Sequence, residues 1–278
     1  MTAPAVNNTY SEDLMTIAER CLWGPPVLRD PDTLTALLQC LADAGWEPQK
    51  WSVNERGGVP YAVDDVVASV RSGALSLYFK RTRAPKWYGH FGTSGAASIF
   101  DLESRALPLA RMPEHWVLGD ALATILTPDF GDVAALPWEA LPGLATLEEY
   151  NDQDSVALRR MTGGAAGFYH NGIKGLSTRT YFGPNYIEQF GREFLMATPA
   201  LVTELAWGGI RIDLHERPWE ATPQELLAVY HPAMRHLRQS PVLTTLKPRT
   251  RADGTLAVDV KKGPAFKMVD YRKPAPHV

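Results

Sequence analysis

Apolar positions recur at helical spacing in several separate stretches of the chain. The clearest opens with Asp30 as N-cap and Pro31 at the first helical position, carries Leu34, Leu37, Leu38 and Leu41 on one stripe, and meets Gly45 as a stop. A second stripe begins near Pro113, buries Leu118, Leu122, Ile125 and Leu126, and ends before Pro128. A third runs from Pro184 through Ile187, Phe190 and Phe194. The fourth starts with a capping box, Thr222-Pro223-Gln224-Glu225, and continues through Leu226, Tyr230, Met234 and Leu237. Pro232 has no amide hydrogen to donate, so it is expected to kink or split this last helix.

Elsewhere the period is two. Leu75, Leu77 and Phe79 alternate with Ser76, Tyr78 and Lys80, and the aromatic-rich Lys86–Phe91 and then Ala97–Leu102 follow, a pattern that predicts an antiparallel meander. Leu201–Ala206 and Ile210–Leu214 flank Trp207-Gly208-Gly209, whose glycines suit a tight β-hairpin. No strand–helix–strand rhythm emerges, so the expected class is α+β: two mixed halves, each with antiparallel sheets packed by amphipathic helices. The stretch Pro137–Gly167 changes character, with scattered prolines, an acidic run and the glycine-rich 163–167 segment. It divides the chain into an N-terminal α+β domain, 1–142, a linker, 143–166, and a C-terminal α+β domain, 167–278, that ends in a basic tail.

Composition sharpens this picture. With 45 % hydrophobic and 21 % charged residues, the chain has the material for a packed core, and no run approaches the roughly 18 apolar residues that cross a bilayer. The N-terminal residues lack the cationic and apolar regions of a secretion signal, so the expected location is the cytoplasm and no membrane partner is expected. Cys21 and Cys40 are too few for a disulfide framework and read as core thiols. The net charge of −3 conceals a division: residues 241–278 carry +5 and residues 1–240 carry −8. An acidic body disfavours nucleic acid as a partner. The basic tail, with Leu256, Val258 and Val260 alternating, reads as an edge strand guarded by lysines.

Catalytic and metal chemistry finds little support in these patterns. His231 and His236 are five apart, which places them on different helix faces, whereas a zincin needs two histidines four apart around a glutamate. Gly92-Thr93-Ser94-Gly95 lacks the spacing of a nucleophile elbow, and Gly163–Gly167 lacks the Lys-Ser/Thr of a phosphate loop. No cofactor or metal is expected. The sequence offers interface chemistry instead. Trp87 and Tyr88 are adjacent on one expected strand, so their rings face opposite ways and one of them is exposed. Glu148, Glu149, Asp152 and Asp154 concentrate negative charge beside Leu147 and Tyr150, a pattern suited to a cationic protein surface.

Several short segments carry a family likeness: Gly172–Leu176, Tyr181-Phe182-Gly183-Pro184, Ile187–Leu195, Trp207–Leu214, Pro218-Trp219 and Leu226–Leu237. In the first half, Cys21-Leu22-Trp23-Gly24-Pro25 and a turn at Pro128-Asp129-Phe130-Gly131-Asp132 add to it. Together they resemble the type VI secretion and polymorphic-toxin immunity proteins, especially the immunity protein 52 group. The resemblance implies an α+β protein without catalysis that binds and neutralises a cognate toxin, for this group one similar to restriction-endonuclease-fold nucleases. On that reading Glu148, Glu149, Asp152, Asp154, Trp87 and Tyr88 form the expected partner-binding set. The alternative is a cytoplasmic hydrolase that uses His90 or His170 with a nearby Asp or Glu.

Overall fold

The computed structural model describes residues 14–94, 97–136, 172–250, 252 and 256–267. Strand β1 (Leu14–Gly24) leads into α1 (Pro31–Asp43), and the short strands β2 (Lys50–Ser52) and β3 (Val59–Pro60) precede α2 (Val63–Arg71). The meander follows as β4 (Ser76–Arg81), β5 (Trp87–Ser94) and β6 (Ala97–Pro108), then α3 (Met112–Leu126) and β7 (Phe130–Leu136). The second half comprises β8 (Arg179–Phe182), α4 (Pro184–Phe190), α5 (Arg192–Met196), β9 (Leu201–Glu204), β10 (Ile210–Asp213), α6 (Pro223–Leu237), β11 (Thr245–Thr250) and β12 (Leu256–Lys261). The class is α+β, as the mixed periodicity implied. The proposed linker, 143–166, lies outside the described residues.

A ten-stranded sheet, in the order β3-β2-β4-β5-β6-β1-β7-β8-β10-β9, runs through both halves, and every pairing in it is antiparallel. Its two halves bury opposite faces. Leu34, Leu37, Leu38 and Leu41 of α1, Val66 of α2 and Leu122 of α3 pack on Phe79, Phe91 and Phe100, whose rings form a ladder with centroids 4.4 and 4.6 Å apart. In the second half Ile187, Phe190, Leu226, Tyr230 and Met234 cover Phe182, Ile210 and Ile212. On β8, Tyr181 belongs to the first core and its neighbour Phe182 to the second. Successive strand residues point to opposite faces, so the helices of the first half lie on one side of the sheet and those of the second on the other.

Local chemistry accounts for the element ends. The Asp30 carboxylate accepts from the Thr33 amide at 3.0 Å, and α1 stops before Gly45 at φ +72°. Thr222 and Glu225 complete the capping box in both directions. Other expectations need correction. The third helical stripe is broken into α4 and α5 at Gly191, whose φ of +90° no helix can hold. Conversely, α6 passes through Pro232 without splitting. The segment read as a turn at Pro128–Asp132 enters strand β7 at Phe130. Leu75 lies just before β4 and is exposed. The tail's alternating Leu256, Val258 and Val260 do lie on a strand, β12, which pairs with β11 in a separate two-stranded sheet.

Candidate interaction surface

On β4 to β6 the strand register decides which side chains share a face. Tyr78 pairs with His90, and His90 with Asp101. One row away, Lys80 pairs with Tyr88, and Tyr88 with Glu103. Cross-strand partners project on the same side, so two parallel rows stand on the face opposite α1–α3: Tyr78–His90–Asp101 and Lys80–Tyr88–Glu103. The first row continues along the backbone through Cys21 of β1 to Asp132 of β7, which is buried. Lys50, opposite Lys80 on β2, marks the basic border.

The aromatic members touch. Tyr78 and His90 stack with centroids 4.7 Å apart and planes 26° from parallel, and Tyr78 lies 6.4 Å from Tyr88. The imidazole folds along its own strand above Gly92, where an added Cβ would come within 2.8 Å of the His90 ring. Burial lowers the His90 pKa, with Glu55 opposing, so the ring stays neutral near pH 7. Burial and then Glu103 raise Asp101 to about 6, against a backbone hydrogen bond from Leu102. His90 Nε2 and Asp101 Oδ1 are each buried without a hydrogen-bond partner, so the two side chains are neighbours that no hydrogen bond joins. Asp101 is the acidic neighbour that the enzymatic alternative asks of His90.

The sequence-derived candidates fall differently. Tyr88 is 40 % exposed on this face, whereas Trp87 is 3 % exposed on the other. The Trp87 indole N–H donates to the Trp46 carbonyl at 3.0 Å within the core, so its ring contributes no surface. Glu148, Glu149, Asp152 and Asp154 lie outside the described residues, as does His170. Asp101 and Glu103 went unnoticed in the sequence because they sit singly in apolar surroundings. The signal that finds them is their parity with Tyr88 and His90 once the strands are paired.

A second polar cluster lies on the side of the sheet that bears α3. Arg179 of β8 reaches Asp213 of β10, the Trp116 carbonyl at 2.9 Å and Asp120 of α3 at 3.1 Å, and its guanidinium lies 3.9 Å from the Trp116 ring centre. Tyr181 donates to Asp120 at 2.7 Å, and Arg211 closes the network at 2.8 Å from both Asp120 and Asp213. Two cations thus meet two anions in a neutral cluster that ties α3 to the second half.

Two further histidines are packed against their surroundings. His115 is buried with Nε2 3.3 Å from the Ala134 carbonyl oxygen, and His236 stacks on Phe194 with Nε2 2.8 Å from its carbonyl oxygen. The Cys40 side chain is half-buried against the first core. Among the described residues no group of three or more His, Cys, Asp and Glu is placed to hold a metal ion, and no helix is long and apolar enough to cross a membrane.

No protein-family model matches the chain, and no curated protein sequence matches it. Among solved structures it is similar to the Pseudomonas aeruginosa type VI secretion system (T6SS) protein PA0821. The TM-score is 0.51 at 14 % identity, covering 86 % of this chain and 78 % of that one. At this identity the likeness shows a shared fold. The narrower resemblance to the immunity protein 52 group has no family match behind it.

Proposed function

We propose that this chain is a type VI secretion immunity protein that binds a cognate toxin and neutralises it in the cytoplasm, the toxin being a nuclease. The observation that carries this reading is the fold shared with a T6SS protein across 86 % of the chain. The segment likeness to immunity proteins points the same way. The exposed Tyr88, near the half-buried Tyr78, supplies the aromatic surface that protein interfaces favour. Inhibition then follows from occlusion: a nuclease must neutralise phosphates with Lys and Arg, and an acidic protein seated on that cleft excludes its substrate.

An immunity gene is expected to lie beside the gene of its toxin, so the test is coexpression with the C-terminal domain of the large secreted protein that the adjacent gene should encode. Growth is restored if the reading holds. Continued killing in cells that contain the folded chain overturns it.

A further inference from the structure

We infer that the face carrying Tyr78, Tyr88 and His90 beside Asp101 and Glu103 is the docking surface for an arginine- and lysine-rich patch of a protein partner. The inference rests on the toxin-binding reading for the partner's identity, and on the face itself for the partner's chemistry.

The platform is built before any partner arrives. The Tyr78–His90 stack and the adjoining Tyr88 ring present aromatic surface on a rigid antiparallel sheet, which no ordering of a loop has to precede. Aromatic faces attract guanidinium and ammonium groups, and arginine can stack on a ring while its fork binds carboxylates. The anion needed for that second contact stands one strand away at Asp101, with Glu103, itself already engaged, adding negative charge beside it. Asp101 Oδ1 is buried without a hydrogen-bond partner, beside a second carboxylate. A buried anion in that condition gains from an arriving cation far more than a solvated one does. Glu55 adds further negative potential, since it acts on both Tyr88 and His90.

Lys80 and Lys50 border the surface at β4 and β2, so the face is polarised. Charge runs from basic at that edge, through the aromatic rings, to acidic at β6. This gradient orients the partner: its cations settle toward Asp101 and Glu103 and away from the lysine edge. The acidic balance of residues 1–240, −8, gives the same sign at longer range and favours encounter with a basic protein.

The experiment has two arms, both with the full chain. In the first, a nona-arginine peptide is titrated at low salt and amide chemical shifts are followed. Shifts centred on β4–β6 support the proposal, and shifts confined to other surfaces overturn it. In the second, Tyr88→Ala and the double variant Asp101→Asn with Glu103→Gln are compared with wild type for binding to the adjacent-gene toxin domain. Tyr88→Ala is expected to weaken binding about tenfold. The double variant is expected to slow association and flatten its salt dependence, while Glu216→Gln, an exposed control, changes neither. Wild-type affinity and salt slope in both variants overturn the docking surface even if the chain protects cells. If the peptide lands on β4–β6 and the chain fails to protect, the cation-receiving face stands and the immunity reading falls.

Discussion

Arg179 and Asp213 meet across the β8–β10 pair in a two-point contact, Nε to Oδ1 at 2.6 Å and Nη2 to Oδ2 at 3.3 Å, with both side chains buried. The same guanidinium covers Trp116 and reaches Asp120. Removing it leaves a buried carboxylate without its main partner, which costs about 3–5 kcal/mol. Arg179→Ala is therefore expected to lower the unfolding free energy measured in urea by that amount, and Arg179→Lys by less, because charge returns but the planar fork does not. A loss below about 1 kcal/mol in Arg179→Ala would show that the cluster is dispensable.

Asp101 predicts a pH dependence of definite sign. Its pKa rises to about 6 through burial and Glu103, so the folded state holds a proton that the unfolded chain releases near its ordinary value of 3.8. The stability this supplies is fully present below the ordinary value and is lost as pH rises through about 6. By pH 7 the loss is on the order of 2–3 kcal/mol. Asp101→Asn stays neutral throughout, so the wild-type-minus-variant difference in unfolding free energy should fall between pH 4 and 7 and then level off. A difference that stays constant over that range would contradict the assignment.

Thr222 caps α6, the helix that carries Leu226, Tyr230 and Met234 into the second core. Its hydroxyl accepts from the Glu225 amide at 3.2 Å while the Glu225 carboxylate accepts from the Thr222 amide at 2.7 Å. Thr222→Ala should cost about 1 kcal/mol, seen as a lower Tm, and Thr222→Ser should restore most of it.

Gly183 is fixed by crowding. Its amide donates to the Asp129 carbonyl at 2.7 Å, and a Cβ would overlap the Pro128 carbonyl oxygen and press on the Asp129 Cα. Both obstacles are backbone, so neither can swing aside. Gly183→Ala is expected to destabilise by more than about 3 kcal/mol, with loss of soluble protein as the first readout.

What could be read in the sequence was local. Asp30 and Thr222 announced their helices because a cap needs only residues three apart, and Trp207-Gly208-Gly209 announced a hairpin because its strands are chain neighbours. The meander followed from alternation at Leu77 and Phe79. Strand β1 was missed as a strand: its partners are Ala97–Pro108 and Phe130–Leu136, far along the chain, and Glu19 and Arg20 interrupt its alternation. The candidate surface divides in the same way. Tyr88 was picked out by its neighbour Trp87, but their roles separate only by face, and Asp101 joins His90 only through the β5–β6 register. At position 232, of the kink or split that proline implies, the split does not occur, and the helix continues to bury Ala233, Met234 and Leu237.

Strand β1 sits between β6 and β7, so the earliest strand to be synthesised among the described residues is held by partners made much later. On the ribosome, residues 14–24 cannot have both partners until residue 136 has been added, roughly 6–20 s at ordinary elongation rates. During that interval an unpaired strand edge is open to wrong partners. The centre of the sheet then forms by insertion of an old segment between two new ones, a non-local closure of the kind that slows folding. A newly made chain thus lacks its finished sheet for a period set by chain growth, and whatever depends on that sheet follows the stock of completed molecules rather than transcription alone.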